Sequence, residues 1–386
     1  MKVWGEYMRC KILVVDDVAV NRAIMKVALN GIEDVEFIEA TNGIEVLKIV
    51  NEQEISLVIL DLVMPLKDGF EVLKEMKSTP SLQDIPVIVY SGNEDVDSVG
   101  EALELGAYDY FTKPLKPREM KVVLPKKARN ALRSFEQQKT IQSLNLKMQV
   151  DLLMASILQQ SLLRDQYEMT NAMMYGKYIP TQDIGGDFYE CIEVNNTIWF
   201  IMADMSGDGV AAAMLTSMLK VEFQNCIQTL DSPEKVLKVM NNTFCKMTQG
   251  NYSLTAFVGM IRDYTLWYSN AGQPCPLVFH AQQQKMEILR ESNLILGMAE
   301  DEKYLLSQMK VSPGDVIITY TQGLIEDKLM SDSVGVYDEL AKCIVQYLHI
   351  IENDVEGFFN IIFRLFGNVS QEKAGNDVAM MLIGMK

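Results

Sequence analysis

The first third of the chain alternates short apolar runs with helix-like segments, and this alternation limits the possible folds more than any other feature of the sequence. A helix-like segment follows each of the first four runs. The runs have the length and apolar content that are typical of buried parallel strands. The pattern predicts a doubly wound α/β domain with a five-stranded parallel sheet. The runs are KILVV (11–15), VEFIEA (35–40), ISLVILD (55–61), IPVIVYS (85–91) and AYDYFTKP (107–114).

Polar side chains stand at the carboxyl ends of these strands, where open parallel sheets bind their ligands. They are Asp16, Asp17, Asp61, Ser91 and Lys113. Three clustered carboxylates repel each other unless a hard cation such as Mg²⁺ lies between them. One carboxylate could then act as a nucleophile toward a phosphoryl group, while the lysine and the serine hold the phosphoryl oxygens. Any one of these side chains alone would better fit a solvated loop residue, and the joint arrangement favours a site.

This set resembles the receiver domain of bacterial response regulators over residues 9–128. The matching stretches are VVDD, LDLVMPLKDG, YSG and YFTKP. The resemblance implies a flavodoxin-like fold, and it implies that a sensor histidine kinase phosphorylates Asp61. It also implies a Mg²⁺ site formed by Asp16, Asp17, Asp61 and the backbone carbonyl of Val63.

The same resemblance implies further roles around the phosphorylation site. Ser91 and Tyr110 would be a pair that switches conformation. Lys113 would contact the phosphoryl group, and its bond to Pro114 would be cis. We expect that this part of the chain can be phosphorylated, because the pattern and the order of its motifs are complete.

Residues 129–165 differ in character and predict a helical linker. This segment lacks glycine and proline, and Asp151 interrupts its apolar seam. The pattern is typical of a long amphipathic helix. Either two such helices pair as a parallel coiled coil in a homodimer, or the helix folds back on one of the domains. The apolar residues at three- and four-residue spacing are Ile141, Leu144, Met148, Ala155, Leu158 and Leu162.

Residues 170–386 combine several strand-like segments with helix-like segments, mainly at 210–227, 233–247 and 338–366. This mixture predicts an α+β sandwich. Asp187, Asp204 and Asp377 lie where strands begin or end, and glycines flank the first two. Oxygen ligands alone indicate Mg²⁺ or Mn²⁺, whose bound water could attack a phosphate ester. Each acid alone would better fit a turn or a cap.

The joint arrangement resembles the metal-dependent protein phosphatases of the PPM (PP2C-like) family, in the bacterial branch that acts on anti-sigma-factor antagonists. The matching stretches include IGGDFYE, ADMSGDGVAAA, YSNAGQPCPL, VSPGDVIITYTQGLIE and NDVAMMLI. The resemblance implies that Asp187, Asp204, Asp377 and the backbone carbonyl of Met205 bind metal. Gln322 stands at a position that is normally a metal-binding aspartate in the family, so one carboxylate is missing.

Two functions are compatible with this sequence. In the first, phosphorylation of Asp61 controls a metal-dependent serine/threonine phosphatase whose substrate is a phosphorylated anti-sigma-factor antagonist. In the second, the phosphatase-like part is a degenerate, phosphorylation-controlled adaptor that binds a stress sigma factor or its regulator. The three retained acids favour the enzyme, and Gln322 favours the adaptor.

Composition excludes several other classes of function. With 35 basic and 52 acidic residues the formal charge is −17, so nucleic acids and anionic membranes are poor partners. The six cysteines are scattered and fit a reduced, cytoplasmic protein. Only two histidines are present, which argues against a histidine-based metal site. Neither a signal peptide nor an apolar run of membrane-spanning length is apparent.

Overall fold

The computed structural model describes residues 10–92, 96–181, 184–207, 209–329, 335–351, 353–367 and 376–386. Residue 9, where we expect the receiver-like part to begin, lies outside these ranges. The chain divides into two compact units, Met1–Met148 and Gln149–Lys386. Within the described ranges, none of the helices combines the length and the apolar character that a membrane crossing requires.

The first unit is a parallel sheet with helices in its connections, which confirms the doubly wound α/β prediction. Its strands are β1 (Cys10–Val15), β2 (Val35–Ala40), β3 (Leu57–Leu60), β4 (Val87–Ser91) and β5 (Asp109–Thr112). Its helices are α1 (Ala19–Leu29), α2 (Gly43–Glu52), α3 (Gly69–Ser78) and α4 (Val96–Glu104). The order across the sheet is β2-β1-β3-β4-β5, and every neighbouring pair is parallel.

Both faces of this sheet are buried, which explains why the strands are continuous apolar runs. In β1, Leu13 and Val15 belong to one core cluster, and Ile12 and Val14 belong to the cluster on the opposite face. All four residues of β3 are buried. The central strand therefore has no exposed face, and its polar chemistry is confined to the residues that follow its carboxyl end.

Helix α5 (Leu124–Ser161) extends for 38 residues and follows a π-helical turn at Glu119–Val123. Its first turns pack into the core of the first unit through Leu124, Ala128 and Leu132. Farther along, large apolar side chains are exposed. They are Ile141, Leu144, Leu146, Met148, Val150, Leu153, Met154, Ile157 and Leu158.

The second unit contains two antiparallel sheets and confirms the α+β sandwich. Its strands are β6 (Gln166–Glu168), β7 (Ala172–Ile179), β8 (Phe188–Val194), β9 (Thr197–Met205), β10 (Leu254–Arg262), β11 (Thr265–Ala271), β12 (Leu277–His280), β13 (Lys285–Ile288), β14 (Ser307–Lys310), β15 (Val316–Tyr320) and β16 (Val378–Met385). Its helices are α6 (Gly209–Thr229), α7 (Pro233–Thr248), α8 (Glu326–Leu329), α9 (Val336–Tyr347) and α10 (Val355–Phe366). The sheet orders are β14-β11-β10-β9-β8 and β13-β12-β15-β16-β7-β6.

Alternation along β9 shows how the layers are stacked. Ile201 and Ala203 belong to the cluster that contains α6 and α7 residues, whereas Phe200 and Met202 belong to the cluster shared with the second sheet. Strand β16 alternates in the same way between the inter-sheet cluster and the cluster that contains α9 and α10 residues. A helical layer therefore covers the outer face of each sheet.

The predicted helical segment 338–366 is two helices rather than one. A 3-10 turn follows α9 at Leu348–Ile350, and α10 starts anew after Asp354. The Asp354 side chain accepts a hydrogen bond from the Gly357 N–H group, which makes it the N-cap of α10. An N-cap residue has non-helical backbone angles, so the chain changes direction here.

Candidate functional site

Three acids from two neighbouring strand ends meet in the first unit. Asp16, Asp17 and Asp61 each offer a carboxylate oxygen, and these oxygens lie within 4.8 Å of one another. The pairing of Val15 with Leu60 brings the ends of β1 and β3 side by side. Asp16 and Asp61 are buried and Asp17 is exposed. The cluster is thus open to solvent on one side, as a site that exchanges a cation must be.

Lys113 bridges the two buried acids. Its Nζ lies 2.6 Å from Asp16 Oδ2 and 2.6 Å from Asp61 Oδ2. Burial by itself lowers the pKa of this ammonium group, but hydrogen bonds to the two carboxylates outweigh burial and raise the pKa. Lys113 is therefore a fixed positive charge beside Asp61. Its bond to Pro114 is cis, as the resemblance implied.

The remaining residues predicted for this site surround Asp61. Ser91 is the last residue of β4 and is fully buried, and Tyr110 lies on the adjacent strand β5. Burial raises the pKa of the Tyr110 phenol. The Val63 N–H group donates a hydrogen bond of 3.3 Å to Asp61 Oδ1. The predicted set is thus gathered along adjacent strand ends.

Two further side chains that we did not single out from the sequence hold Asp16 in place. Its Oδ1 atom accepts hydrogen bonds from the Val18 N–H group at 2.8 Å and from Asn21 Nδ2 at 3.1 Å. Arg22 donates to the Asp16 backbone carbonyl at 2.8 Å and pairs with Glu39. These donors fix one oxygen of Asp16, while its other oxygen faces Lys113.

The second unit has an open cleft of about 340 Å³ at one end of the sandwich. It brings together all the residues that we predicted for the second metal site. Its lining consists of Thr181, Asp187, Asp204, Met205, Ser206, Ser253, Thr255, Gln322, Gly323, Glu326, Asn376 and Asp377. Histidine, cysteine and basic residues are absent from this described lining, so its chemistry is that of oxygen donors.

Asp187 and Asp204 are carboxylates whose ionised forms are destabilised. Burial raises the pKa of Asp187 well above its ordinary value, and the charges of Asp204 and Asp377 raise it further. Burial also raises the pKa of Asp204 to about 6. Asp187 Oδ2 is buried without a hydrogen-bond partner among the described residues. Such an oxygen is costly to bury unless a cation or a water molecule binds it.

Asp377, directly before β16, is held by donors from β7 and from the loop that follows β7. Its Oδ1 accepts from the Thr181 N–H group at 2.8 Å, and its Oδ2 accepts from the Gly186 N–H group at 2.7 Å and from the Tyr178 hydroxyl at 3.1 Å. A Cβ atom on Gly185 would lie 1.9 Å from Asp377 Oδ2. Glycine at 185 is therefore required for this close approach.

The turn Thr321-Gln322-Gly323 packs against the backbone of Asp377. A Cβ atom on Gly323 would lie 2.0 Å from the Asp377 carbonyl oxygen. The Thr321 hydroxyl accepts a hydrogen bond from the Ala379 N–H group at 2.9 Å. The turn thus keeps its place at the cleft even though residue 322 is an amide, and the Gln322 backbone lowers the pKa of Asp204 by hydrogen bonding.

A divalent ion fits the donor set of this cleft. Three carboxylates line it together with Met205, and Asp187 Oδ2 is buried without a hydrogen-bond partner among the described residues. The Met205 carbonyl oxygen would lie 3.1 Å from a Cβ atom on Gly186, so this carbonyl is beside the acidic loop. Mg²⁺ and Mn²⁺ prefer such oxygen ligands.

Two residues near the cleft escaped our sequence analysis. Glu326 follows Gln322 by four residues, a spacing visible in QGLIE that could have drawn attention to it. Gln159 of α5 hydrogen-bonds to Gly185 across 26 positions of sequence, and this contact arises from tertiary packing alone.

Two family models match the chain, each over one part of it. Residues 12–124 match the response regulator receiver domain, and residues 195–386 match stage II sporulation protein E (SpoIIE). One curated relative is "Phosphoserine phosphatase RsbU" of Bacillus subtilis, 22% identical over 50% of this chain and 58% of the relative. Another is "Probable transcriptional regulator ycf27" of Porphyridium aerugineum, 40% identical over 28% of this chain and 44% of the relative. The chain thus covers less than two thirds of either relative.

A solved structure supports the fold of the second part. The SiaA-PP2C domain of Pseudomonas aeruginosa is 14% identical, with a TM-score of 0.50, and the match covers 63% of this chain and 98% of that domain. Similarity at this level concerns the fold alone.

Proposed function

We propose that this chain, in which a response regulator receiver domain is joined to a PP2C-like phosphatase domain of the SpoIIE type, is a phosphorylation-controlled serine/threonine phosphatase. Its substrate would be a phosphorylated anti-sigma-factor antagonist. The observation that carries the proposal is the cleft that Asp187, Asp204 and Asp377 line, in which Asp187 Oδ2 is buried without a hydrogen-bond partner among the described residues.

In the receiver domain, Asp61 would accept the phosphoryl group from the phosphohistidine of a sensor kinase. Asp61 follows the central strand and lies beside a fixed cation, Lys113. The ammonium group would move its hydrogen bond from the carboxylate to a phosphoryl oxygen after transfer. Asp16 and Asp17, with the Val63 carbonyl, would hold Mg²⁺, which neutralises charge on the transferring group.

In the phosphatase domain, Asp187, Asp204, Asp377 and the Met205 carbonyl would hold Mg²⁺ or Mn²⁺. The ion, when bound, supplies an activated water molecule for attack on a phosphate ester. The residues of the chain position this chemistry: backbone donors fix Asp377, and the buried site keeps Asp187 and Asp204 close together. The open side of the cleft would admit a phosphoserine or phosphothreonine on a protein surface.

Helix α5 would carry the signal between the two activities. Its N-terminal part packs in the core of the first unit, and Gln159 near its C-terminal end hydrogen-bonds to the backbone of Gly185, two residues before Asp187. A shift or rotation of α5 would therefore act on the loop that holds a metal-site acid. Its exposed apolar residues would pair with the same helix of a second copy in a homodimer.

A second candidate function is a phosphorylation-controlled adaptor for a stress sigma factor or its regulator. The observation that favours it is that Gln322, at a position where the family normally has an aspartate, is an uncharged amide in the lining of the cleft. An adaptor would need the shape of the domain and not its metal ions.

The deciding experiment is hydrolysis of a phosphorylated antagonist protein, or of a generic phosphate ester, with Mn²⁺ and with Mg²⁺. The parent chain would be compared with Asp204→Ala, with and without beryllofluoride, and with Asp61→Asn. We expect turnover in the parent that is lost in Asp204→Ala and that beryllofluoride changes only when Asp61 is present. If the chain binds its partner without a metal ion and shows no turnover, the adaptor function is supported and the enzyme is rejected.

A further inference from the structure

Glu326 is a carboxylate at the metal cleft to which the sequence motifs assign no role. It is the first residue of α8 and follows the 3-10 turn Gln322–Leu324. Glu326 follows Gln322 by four residues, and one non-helical residue, Ile325, separates it from that turn. Both residues line the cleft together with Asp204 and Asp377.

The position of Glu326 is tied to the acids of the cleft by a hydrogen bond. The Asn376 side-chain amide donates a hydrogen bond to Glu326 Oε2, and Asn376 directly precedes Asp377. The carboxylate thus faces the acids rather than bulk solvent alone.

A second observation, which does not involve Glu326, also favours a cation in the cleft. Asp187 is 1% exposed, and its Oδ2 atom has no hydrogen-bond partner among the described residues. Two divalent ions would carry four positive charges, whereas Asp187, Asp204 and Asp377 supply three negative ones. A fourth carboxylate near Gln322 would balance that charge.

We propose that Glu326 supplies the carboxylate that is missing at Gln322, as a ligand of a divalent cation bound in this cleft. The inference rests on the proposed function, because it presumes that the cleft binds a metal ion. The neutral Asn376 amide would then orient Glu326: it donates a hydrogen bond to one carboxylate oxygen and leaves the other oxygen for the ion. A carboxylate has lone pairs enough for both partners.

A purely structural role for Glu326 predicts a different outcome. In that case the pair of Glu326 and Asn376 would only tie α8 to the start of β16. Glu326→Gln separates the two roles, because glutamine keeps the length and an oxygen that can accept the Asn376 hydrogen bond but loses the charge. The neighbouring Asp327 is exposed and does not line the cleft, so Asp327→Asn is the matched control.

The test is Mn²⁺ binding to the full chain. Binding is measured by the electron paramagnetic resonance signal of free Mn²⁺ and by calorimetry. Asp16→Asn and Asp17→Asn in every variant remove the receiver site, so the signal reports the cleft. We expect Glu326→Gln to weaken Mn²⁺ binding about 10–100-fold, the range found when groups around a metal are lost. Asp327→Asn should leave it unchanged, and adding Gln322→Asp to Glu326→Gln should restore it. Thermal unfolding of each variant establishes that it is folded.

Two results would overturn the proposal, and they differ in whether the proposed metal-dependent phosphatase is rejected as well. If Asp204→Ala abolishes Mn²⁺ binding while Glu326→Gln binds as tightly as the parent, Glu326 is structural and the metal-dependent enzyme survives. If the parent binds no Mn²⁺ in the cleft, the ligand role of Glu326 and the metallophosphatase both fail.

Discussion

Gln159 and Gly185 exchange two hydrogen bonds: Gln159 Nε2 donates to the Gly185 carbonyl oxygen at 2.6 Å, and the Gly185 N–H group donates to Gln159 Oε1 at 3.3 Å. Both residues are buried. The amide of one helix residue thereby satisfies the whole backbone polar set of a loop residue. Since Asp187 follows two residues later, the position of α5 and the geometry of the acidic cleft are linked.

Gln159→Ala should loosen this loop. It leaves a buried donor and a buried acceptor without partners, which costs about 1–3 kcal/mol for each unsatisfied group. We expect a lower free energy of unfolding for the second unit and weaker Mn²⁺ binding. The measurements are thermal unfolding and a metal titration, with Gln160→Ala at an exposed neighbour as the control. If Gln159→Ala and Gln160→Ala bind Mn²⁺ with equal affinity, the contact of α5 with Gly185 does not influence metal binding in the cleft.

Asp61→Asn should abolish phosphorylation of the receiver domain. Asp61 is the buried acid that shares Lys113 with Asp16, so its oxygen is the nucleophile that the site is built to present. Acetyl phosphate with Mg²⁺ should label the parent and the exposed-acid control Glu52→Gln, and should not label Asp61→Asn. Equal labelling stoichiometry in all three proteins would show that another residue is the acceptor.

The clustering of polar residues at the strand ends of the first unit could be predicted from the sequence, because parallel strands that are buried on both faces are continuous apolar runs. Their carboxyl ends fall at one edge, so residues such as Asp16, Asp61 and Lys113 come together once the strand order is known. The acids of the second unit, which lie where strands begin or end, likewise indicated its cleft from the sequence. The contact of Gln159 with Gly185 was not, because nothing in either local sequence specifies it.

The apolar surface of α5 shows a different reason for an incomplete prediction. The seam that we traced contains Ile141, Leu144 and Met148 and is interrupted by Asp151. A second set of exposed apolar residues has four-three-four spacing and continues past Asp151. The sequence contains both spacings, and the local pattern alone does not decide which apolar stripe of a long exposed helix faces a partner. The second set consists of Leu146, Val150, Leu153 and Ile157.

Leu153→Glu should therefore weaken a homodimer formed through α5. A charge at an apolar seam of paired helices lacks a partner and must be desolvated. Light scattering should show a dimer for the parent and a shift toward monomer for the variant, and Lys147→Glu at an exposed polar site of the helix should remain dimeric. A parent that is monomeric both with and without beryllofluoride would contradict pairing through this helix.

The stability of the ion-free phosphatase domain should fall as pH rises from about 4 to about 6. Burial raises the pKa of Asp204 from 3.8 to about 6, so in that interval the folded state binds more protons than the unfolded state. The loss is on the order of 2–3 kcal/mol. Asp204→Asn should remove this part of the pH dependence. Unfolding in EDTA at pH 4 and pH 7 measures it, and an identical pH profile for parent and variant would contradict the burial of this charge.

Gln322→Asp should distinguish a weakened phosphatase from an adaptor. The turn that carries residue 322 is held in place by Thr321 and by the close approach of Gly323 to Asp377. A carboxylate introduced there would enter a cleft that Asp187, Asp204 and Asp377 already line. For an enzyme, the added negative charge should tighten Mn²⁺ or Mg²⁺ binding and raise turnover of a phosphopeptide, because the metal-bound water is the expected nucleophile.

The comparison needs the parent, Gln322→Asp and Asp204→Ala in one metal titration with phosphopeptide turnover. Turnover that increases in Gln322→Asp and vanishes in Asp204→Ala would support the enzyme. In an adaptor, Gln322→Asp would bind metal slightly better and would hydrolyse nothing, because the domain would have been selected for its surface. Absence of turnover in both the parent and Gln322→Asp, with partner binding intact, would therefore exclude the phosphatase.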